Sequence, residues 1–234
     1  MCIRDSVKVV LTGEGRVSQG AQYILEHIGA TRLSPQEFLG GKSQSGISYC
    51  VLGLDHLVES NDAARSFDRD DFNRHPEKYH SLFLPYARVA DVFISGHFWN
   101  NGQPVYLTKE DLRDPDLRIR VIGDITCDIQ GSVQSTLRSS THDDPYYDYN
   151  PVTEKEEPAF SNPRNITVMA VDTCPNALPR VTSDFFGEKL IEYVLGDMLT
   201  SGNDSNIILD RATILRNGKL TDKFDYLSEY VKTL

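Results

Sequence analysis

Basic residues are scarce in this chain, and that scarcity excludes a class of partner. Lys and Arg number 24 against 34 Asp and Glu, giving a formal net charge of −10 and a pI near 5.0. No basic stripe interrupts the acidic balance, so a nucleic-acid surface, which needs clustered cations against phosphate, is not expected. Long apolar runs are also missing. None approaches the roughly 18 residues that cross a bilayer, and no secretory leader is legible. The expectation is a cytoplasmic protein without membrane or nucleic-acid partners. Cysteine is sparse and scattered: Cys2, Cys50, Cys127 and Cys174 form no C-x-x-C pair. That spacing fits neither a zinc site nor a disulfide framework, and no metal is expected. Internal repeats are absent as well.

What is present is enough apolar matter for a core. Hydrophobic residues make up 39% of the 234, with 10 Phe and 11 Tyr beside a single Trp. The apolar run from Val7 to Leu11 reads as a buried parallel strand that breaks at Gly13 and Gly15. Val17 to Ile28 follows as a helix, with Ala21, Ile24, Leu25 and Ile28 at helical spacing and Gly29 as its stop. Strands are expected at Thr31–Leu33, Ile47–Leu54, Asp91–Ser95, Arg120–Ile125 and Ile166–Val171. Gly40 to Gly46 reads as a flexible loop, Asp55 to Arg74 as polar surface and Pro76 to Arg88 as a helix. Gln130 to Pro163 reads as one long loop, of the kind that is usually functional. An amphipathic helix is expected at Thr182–Leu199, with two more at Ser205–Leu215 and Thr221–Val231. The alternation of strand and helix predicts an α/β fold: a Rossmann-type, doubly wound parallel sheet with carboxy-terminal helices.

Gly13-x-Gly15, between a strand and a helix, is the pattern that lets a backbone approach a pyrophosphate while a helix amino terminus faces it. A purely structural strand-to-helix turn is the competing reading. The acid expected to hold a ribose after the second strand is missing: Ser34 stands there, with Arg32, Gln36 and Glu37 close by, so NAD and NADP both stay open. Asp124 and Asp128 bracket the end of a later strand, where open α/β sheets bind ligands. Four residues apart, they share a side if the strand runs that far. Asp128 is the candidate catalytic carboxylate, and Asp124 either joins it or hydrogen-bonds a neighbouring loop. His97 and His142 are weaker candidates as bases, each equally readable as structural or solvated. Asp172 to Arg180 leaves the last strand through two prolines that stiffen a loop.

In order, Gly13-Glu14-Gly15-Arg16, Asp124-Ile125-Thr126-Cys127-Asp128, Thr141-His142-Asp143-Asp144-Pro145 and Asp172-Thr173-Cys174-Pro175-Asn176 resemble the alanine dehydrogenase and transhydrogenase superfamily. The closer resemblance is to lysine-forming saccharopine dehydrogenase and the lysine–ketoglutarate reductase domain, and it runs from about Val7 to Leu199. It implies a Rossmann domain holding NAD or NADP through Gly13, Gly15, Arg16, Val17, Phe98, the backbone at Ile125, and Val171, Asp172, Thr173 and Cys174. Thr126, Cys127 and Asp128 would border the substrate.

The implied reaction joins the ε-amine of lysine to 2-oxoglutarate through an imine, with hydride passing to or from the nicotinamide. The family's Lys and His acid/base pair belongs to a preceding domain and has no counterpart here. On this reading residues 1–6 are an extraneous leader and 7–199 the dinucleotide domain. Residues 200–234 form a helical segment that packs on a missing substrate domain, and the chain is a fragment, inactive alone. Its partners are then amino acid and 2-oxo acid substrates, with a homo-oligomer or the missing domain covering its apolar helix faces. Two alternatives stand beside it: an alanine dehydrogenase-like enzyme, and a non-catalytic dinucleotide-binding module.

Overall fold

The computed structural model describes residues 6–40, 45–199 and 206–232. All but the last residue of the expected leader, the middle of the 40–46 loop and the start of the segment after Leu199 lie outside the described residues. The chain divides into two compact units, one through Cys174 and one from Pro175 onward.

The first unit is built on strands β1 (Ser6–Thr12), β2 (Thr31–Arg32), β3 (Gly46–Leu52), β4 (Val58–Ser60), β5 (Tyr79–Ser81), β6 (Val92–Ser95), β7 (Val121–Asp124), β8 (Tyr146–Asn150), β9 (Lys155–Glu157) and β10 (Ile166–Met169). Eight of them form one sheet in the order β2-β3-β1-β6-β7-β10-β8-β9, while β4 and β5 make a separate antiparallel ribbon. The sheet is parallel from β2 to β10 and closes with the antiparallel pair β8 and β9. Helix α1 (Arg16–His27) follows β1, and shorter helices complete the α/β, Rossmann-like arrangement.

Alternation along the strands decides which side each residue serves, because successive side chains point to opposite faces. Val10, Cys50, Leu52, Phe93 and Ile122 enter a large core with Phe38, Leu57, Phe72, Tyr86 and Leu112 from the short helices and loops. Val9 and Tyr49 face the other way and meet Leu25 of α1, with Val7, Ile47, Val51, Val92 and Ile94 packed around them. Of the expected apolar stripe on α1, only Leu25 is buried; Ile24 and Ile28 are more than half exposed.

Three expectations fail in this unit. Asp55–Arg74 is not simply polar surface: it contains β4 and the helix Arg69–Arg74, and it buries Leu57, Val58 and Phe72. Asp68 starts that helix by accepting the amides of Asp70 and Asp71 at 2.8 and 2.9 Å. Pro76–Arg88 is not one helix but a 3-10 turn, strand β5 and the helical turn Leu84–Ala87. Gln130–Pro163 is not a single loop, because β8 and β9 lie within it. The carboxylate of Asp148, fully buried on β8, explains why. It accepts the amides of Phe160 and Ser161, both at 3.0 Å, and the Thr167 hydroxyl at 2.7 Å. Burial alone would raise its pKa, but these hydrogen bonds outweigh it and hold the acid below its ordinary value.

In the second unit the helix Pro179–Leu190 continues through a π turn at Ile191–Leu195 into Gly196–Leu199. The two further helices are shorter than expected. Ile207–Ala212, capped by Asn206, gives way to a ribbon pairing Leu215–Arg216 with Lys219–Leu220. A 3-10 segment, Asp222–Leu227, and the helix Ser228–Lys232 follow.

Candidate functional site

The carboxyl ends of four parallel strands lie level. Thr12 pairs with Leu52 on one side and Ser95 on the other, and Ser95 pairs with Asp124. Beyond this line β1 turns at Gly13, whose φ is +92°; a Cβ there would stand 2.5 Å from the carbonyl oxygen of Gly96. Only glycine permits both the conformation and the contact. Gly15 differs. Its backbone is extended, it caps α1, and a Cβ on it would meet nothing within 4 Å. The first turn of α1 carries neither an acidic residue nor a side-chain cap, so its amides and the positive end of the helix dipole face outward.

A cleft of about 690 Å³ opens here, a size suited to a small organic ligand. Gly13, Gly15, Arg16, Val17 and Phe98, all expected from the sequence, line it. Phe98 is 79% exposed, an apolar face held against water. Sequence reading missed Leu54, Leu57, Arg69, Phe72, Asn73, Gln103 and Tyr106 in the same wall. The Asp68 cap signal and the apolar Phe72 four residues later were the available clue to part of it. Tyr106 is 1% exposed, its hydroxyl has no hydrogen-bond partner, and burial pushes its pKa up to about 12.

His97 sits beside the glycine turn but is not poised as a base. Its Nδ1 lies 2.6 Å from the Thr12 hydroxyl and its Nε2 2.8 Å from that of Ser132, and its ring meets Tyr106 edge-on at 4.7 Å. Burial lowers its pKa to about 4 against the opposing pull of Asp124, so the ring is neutral at pH 7. The structural role open in the sequence is the observed one. His142 is exposed, with Nε2 2.9 Å from the Thr173 carbonyl oxygen.

Asp124 and Asp128 do not share a side, because β7 ends at Asp124. The Asp124 carboxylate is fully buried and takes the hydroxyls of Ser95, Thr126 and Thr136 and the Thr126 amide at 3.2 Å. It therefore hydrogen-bonds neighbouring loops, one of the two roles its sequence position left open. Its grip turns the chain, and Cys127 adopts φ +57°. Asp128 emerges exposed beyond the turn, and partial loss of solvent by the neighbouring chain, then repulsion from Asp124, raises its pKa.

Ile125 donates its amide to Ser95 at 3.2 Å, which fixes its backbone at the strand ends. Val171 is buried, and its carbonyl oxygen accepts both the Cys127 thiol at 3.4 Å and the Cys174 thiol at 3.1 Å. Cys127, between Thr126 and Asp128, thus adjoins Val171 and Cys174, with Asp172 and Thr173 exposed between the latter two. These residues form a second group on the carboxyl edge and do not line the cleft at the glycine turn. Among the described residues no group of three or more His, Cys, Asp or Glu is arranged to hold a metal, and no helix is long and apolar enough to cross a membrane.

No protein-family model matches the sequence. Among curated proteins, the alpha-aminoadipic semialdehyde synthase of Arabidopsis thaliana is 31% identical over 247 residues, covering 96% of this chain and 23% of that protein. The mitochondrial alpha-aminoadipic semialdehyde synthase of Mus musculus is 28% identical, over 94% of this chain and 26% of its own length. A saccharopine dehydrogenase [NAD(+), L-lysine-forming] of Schizosaccharomyces pombe is 27% identical over 118 residues, 47% of this chain and 29% of the relative. The chain spans about a quarter of the length of the two synthases.

Proposed function

We propose that this chain, a homologue of the alpha-aminoadipic semialdehyde synthases and saccharopine dehydrogenases, binds a nicotinamide dinucleotide and serves the interconversion of saccharopine with lysine and 2-oxoglutarate. The observation that carries the reading is the pair of glycines. Gly13 is locked by Gly96, while Gly15 leaves open space before the uncapped amides of α1. That is a cradle for a diphosphate, placed where the strand order turns away from β1 in both directions. The unpartnered Tyr106 hydroxyl is a second fit, since a buried donor without an acceptor is costly until a ligand supplies one.

A bound nicotinamide supplies or accepts the hydride. The residues of this chain bind, orient and exclude water. Gly15 and the α1 amides take the diphosphate, Arg16 adds a cation at the cleft wall, and Phe98 offers an apolar face to a ring. Asp124 fixes the turn that presents Thr126, Cys127 and Asp128, and Asp128 is the carboxylate set to attract a substrate ammonium. Val171 to Cys174 would close the nicotinamide end.

The test is a fluorescence titration of the purified chain with NADH and NADPH, repeated on Gly15→Leu. The fold has room for that side chain, so loss of binding with unchanged thermal stability supports the reading. A Gly15→Leu protein that binds as well as the parent would refute it.

A further inference from the structure

The strand beside β1 at the glycine turn is not the next one in the chain. From α1 the chain passes to β2 at the sheet edge, and β3 fills the place between, with Leu52 level with Thr12. Ser34, at the end of β2, therefore lies one strand too far out, by about 4.8 Å, to serve as the ribose acid. The residue beside the turn is Gly53, which has no side chain to offer. A Cβ built on it would lie 2.7 Å from Oδ1 of Asp55 and 2.8 Å from Cδ of Glu14. The Asp55 carboxylate occupies the space that a strand-terminal side chain would fill.

A cavity of about 400 Å³ opens at this point, with Glu14, Gln19, Arg32, Gly53, Asp55 and His56 among its walls. Glu14 also lines the larger cleft, so the two adjoin at the glycine turn. Two carboxylates face the space. Glu14 is 3.6 Å from Arg69 and Asp55 is 3.0 Å from Nδ1 of His56, while Arg32 stands at the end of the outer strand.

Resting on the dinucleotide reading above, we infer that Asp55, seated over Gly53, takes the adenosine ribose hydroxyls and selects a dinucleotide without a 2′-phosphate. A carboxylate accepts both hydroxyls of a vicinal diol. A 2′-phosphate removes one of those donors and brings up to about two negative charges against Asp55 and Glu14.

The experiment titrates the full chain with NADH and NADPH by fluorescence, and with ADP-ribose and 2′-phospho-ADP-ribose by calorimetry. The second pair reads the adenosine end even if the nicotinamide end contributes little. The parent should bind NADH and ADP-ribose at least about ten-fold tighter than their 2′-phosphorylated counterparts. Asp55→Asn should shrink that ratio about ten-fold, without a change in melting temperature because the Asp55 side chain is 58% exposed. Tighter binding of the phosphorylated ligands, equal affinities, or a ratio untouched by Asp55→Asn would overturn the selectivity while leaving the dinucleotide reading intact. A folded chain that binds none of the four ligands would overturn both.

Discussion

Gly13 and Gly96 touch backbone to backbone across β1 and β6. A Cβ on Gly13 would sit 2.5 Å from Gly96 O, and one on Gly96 would sit 3.1 Å from Thr12 O. The two turns are thus interlocked, and the shape of the cleft depends on both. Gly13→Ala should destabilise the fold by about 2 kcal/mol or more, through strain at positive φ and the clash together. Denaturant unfolding measures this, and an unchanged midpoint would contradict the contact. Gly15→Leu should leave the midpoint in place and act on ligand binding alone.

His97 gives stability a dependence on pH. Its folded pKa of about 4 is depressed below the ordinary 6.5. The unfolded chain therefore binds the proton first, and the contribution is full above about pH 6.5. It is lost as pH falls from there through about 4, amounting to roughly 3 kcal/mol as an upper figure. His97→Gln should flatten the slope of stability between those values. A slope the same in parent and variant would show that other groups carry it.

Asp124 and Asp128 should separate cleanly on substitution. Asp124→Asn places an amide among four donors inside the protein and should cost about 1–3 kcal/mol of stability. Asp128→Asn, at an exposed position, should leave stability alone and, on the proposed function, spare NADH binding and weaken saccharopine binding to the dinucleotide-loaded protein about ten-fold. Equal loss of stability in both variants would mean that Asp128 is structural too.

Much of this was legible in the sequence where one local rule decides the outcome. The turn at Gly13 was, because strand, glycines and helix follow one another within a few residues. Where a distant partner decides, the sequence was silent. Tyr146 to Asn150 looks like loop because Asp148 is charged, and it takes the amides of Phe160 and Ser161 and the Thr167 hydroxyl to make it a buried strand residue. The step from β7 into its turn likewise depends on Ser95 and Thr136 reaching Asp124. That Gly53, and not Ser34, follows the strand beside β1 was hidden too, because the order of β2 and β3 in the sheet cannot be read from the order of segments. One local signal was overlooked: Asn217-Gly218, both at positive φ, is a two-residue hairpin turn between the two segments that read as helices.

The thiols should react in an order set by burial. Burial, ahead of repulsion from Asp124, pushes the Cys127 thiol up to about 12, and burial likewise raises the enclosed Cys50 to about 12. At pH 8 both are protonated, and the thiol is a poor nucleophile. Cys174 is exposed and shares the Val171 carbonyl with Cys127. Brief treatment with iodoacetamide, followed by peptide mass spectrometry, should therefore label Cys174 well before Cys127 or Cys50. Because Cys174 stands on the loop proposed to close the nicotinamide end, prior addition of NADH should slow its labelling, while Cys50 should be unaffected. Labelling of Cys127 as fast as Cys174 would mean that the turn beyond β7 opens readily in solution. Labelling of Cys174 that ignores NADH would remove the loop from the cofactor site.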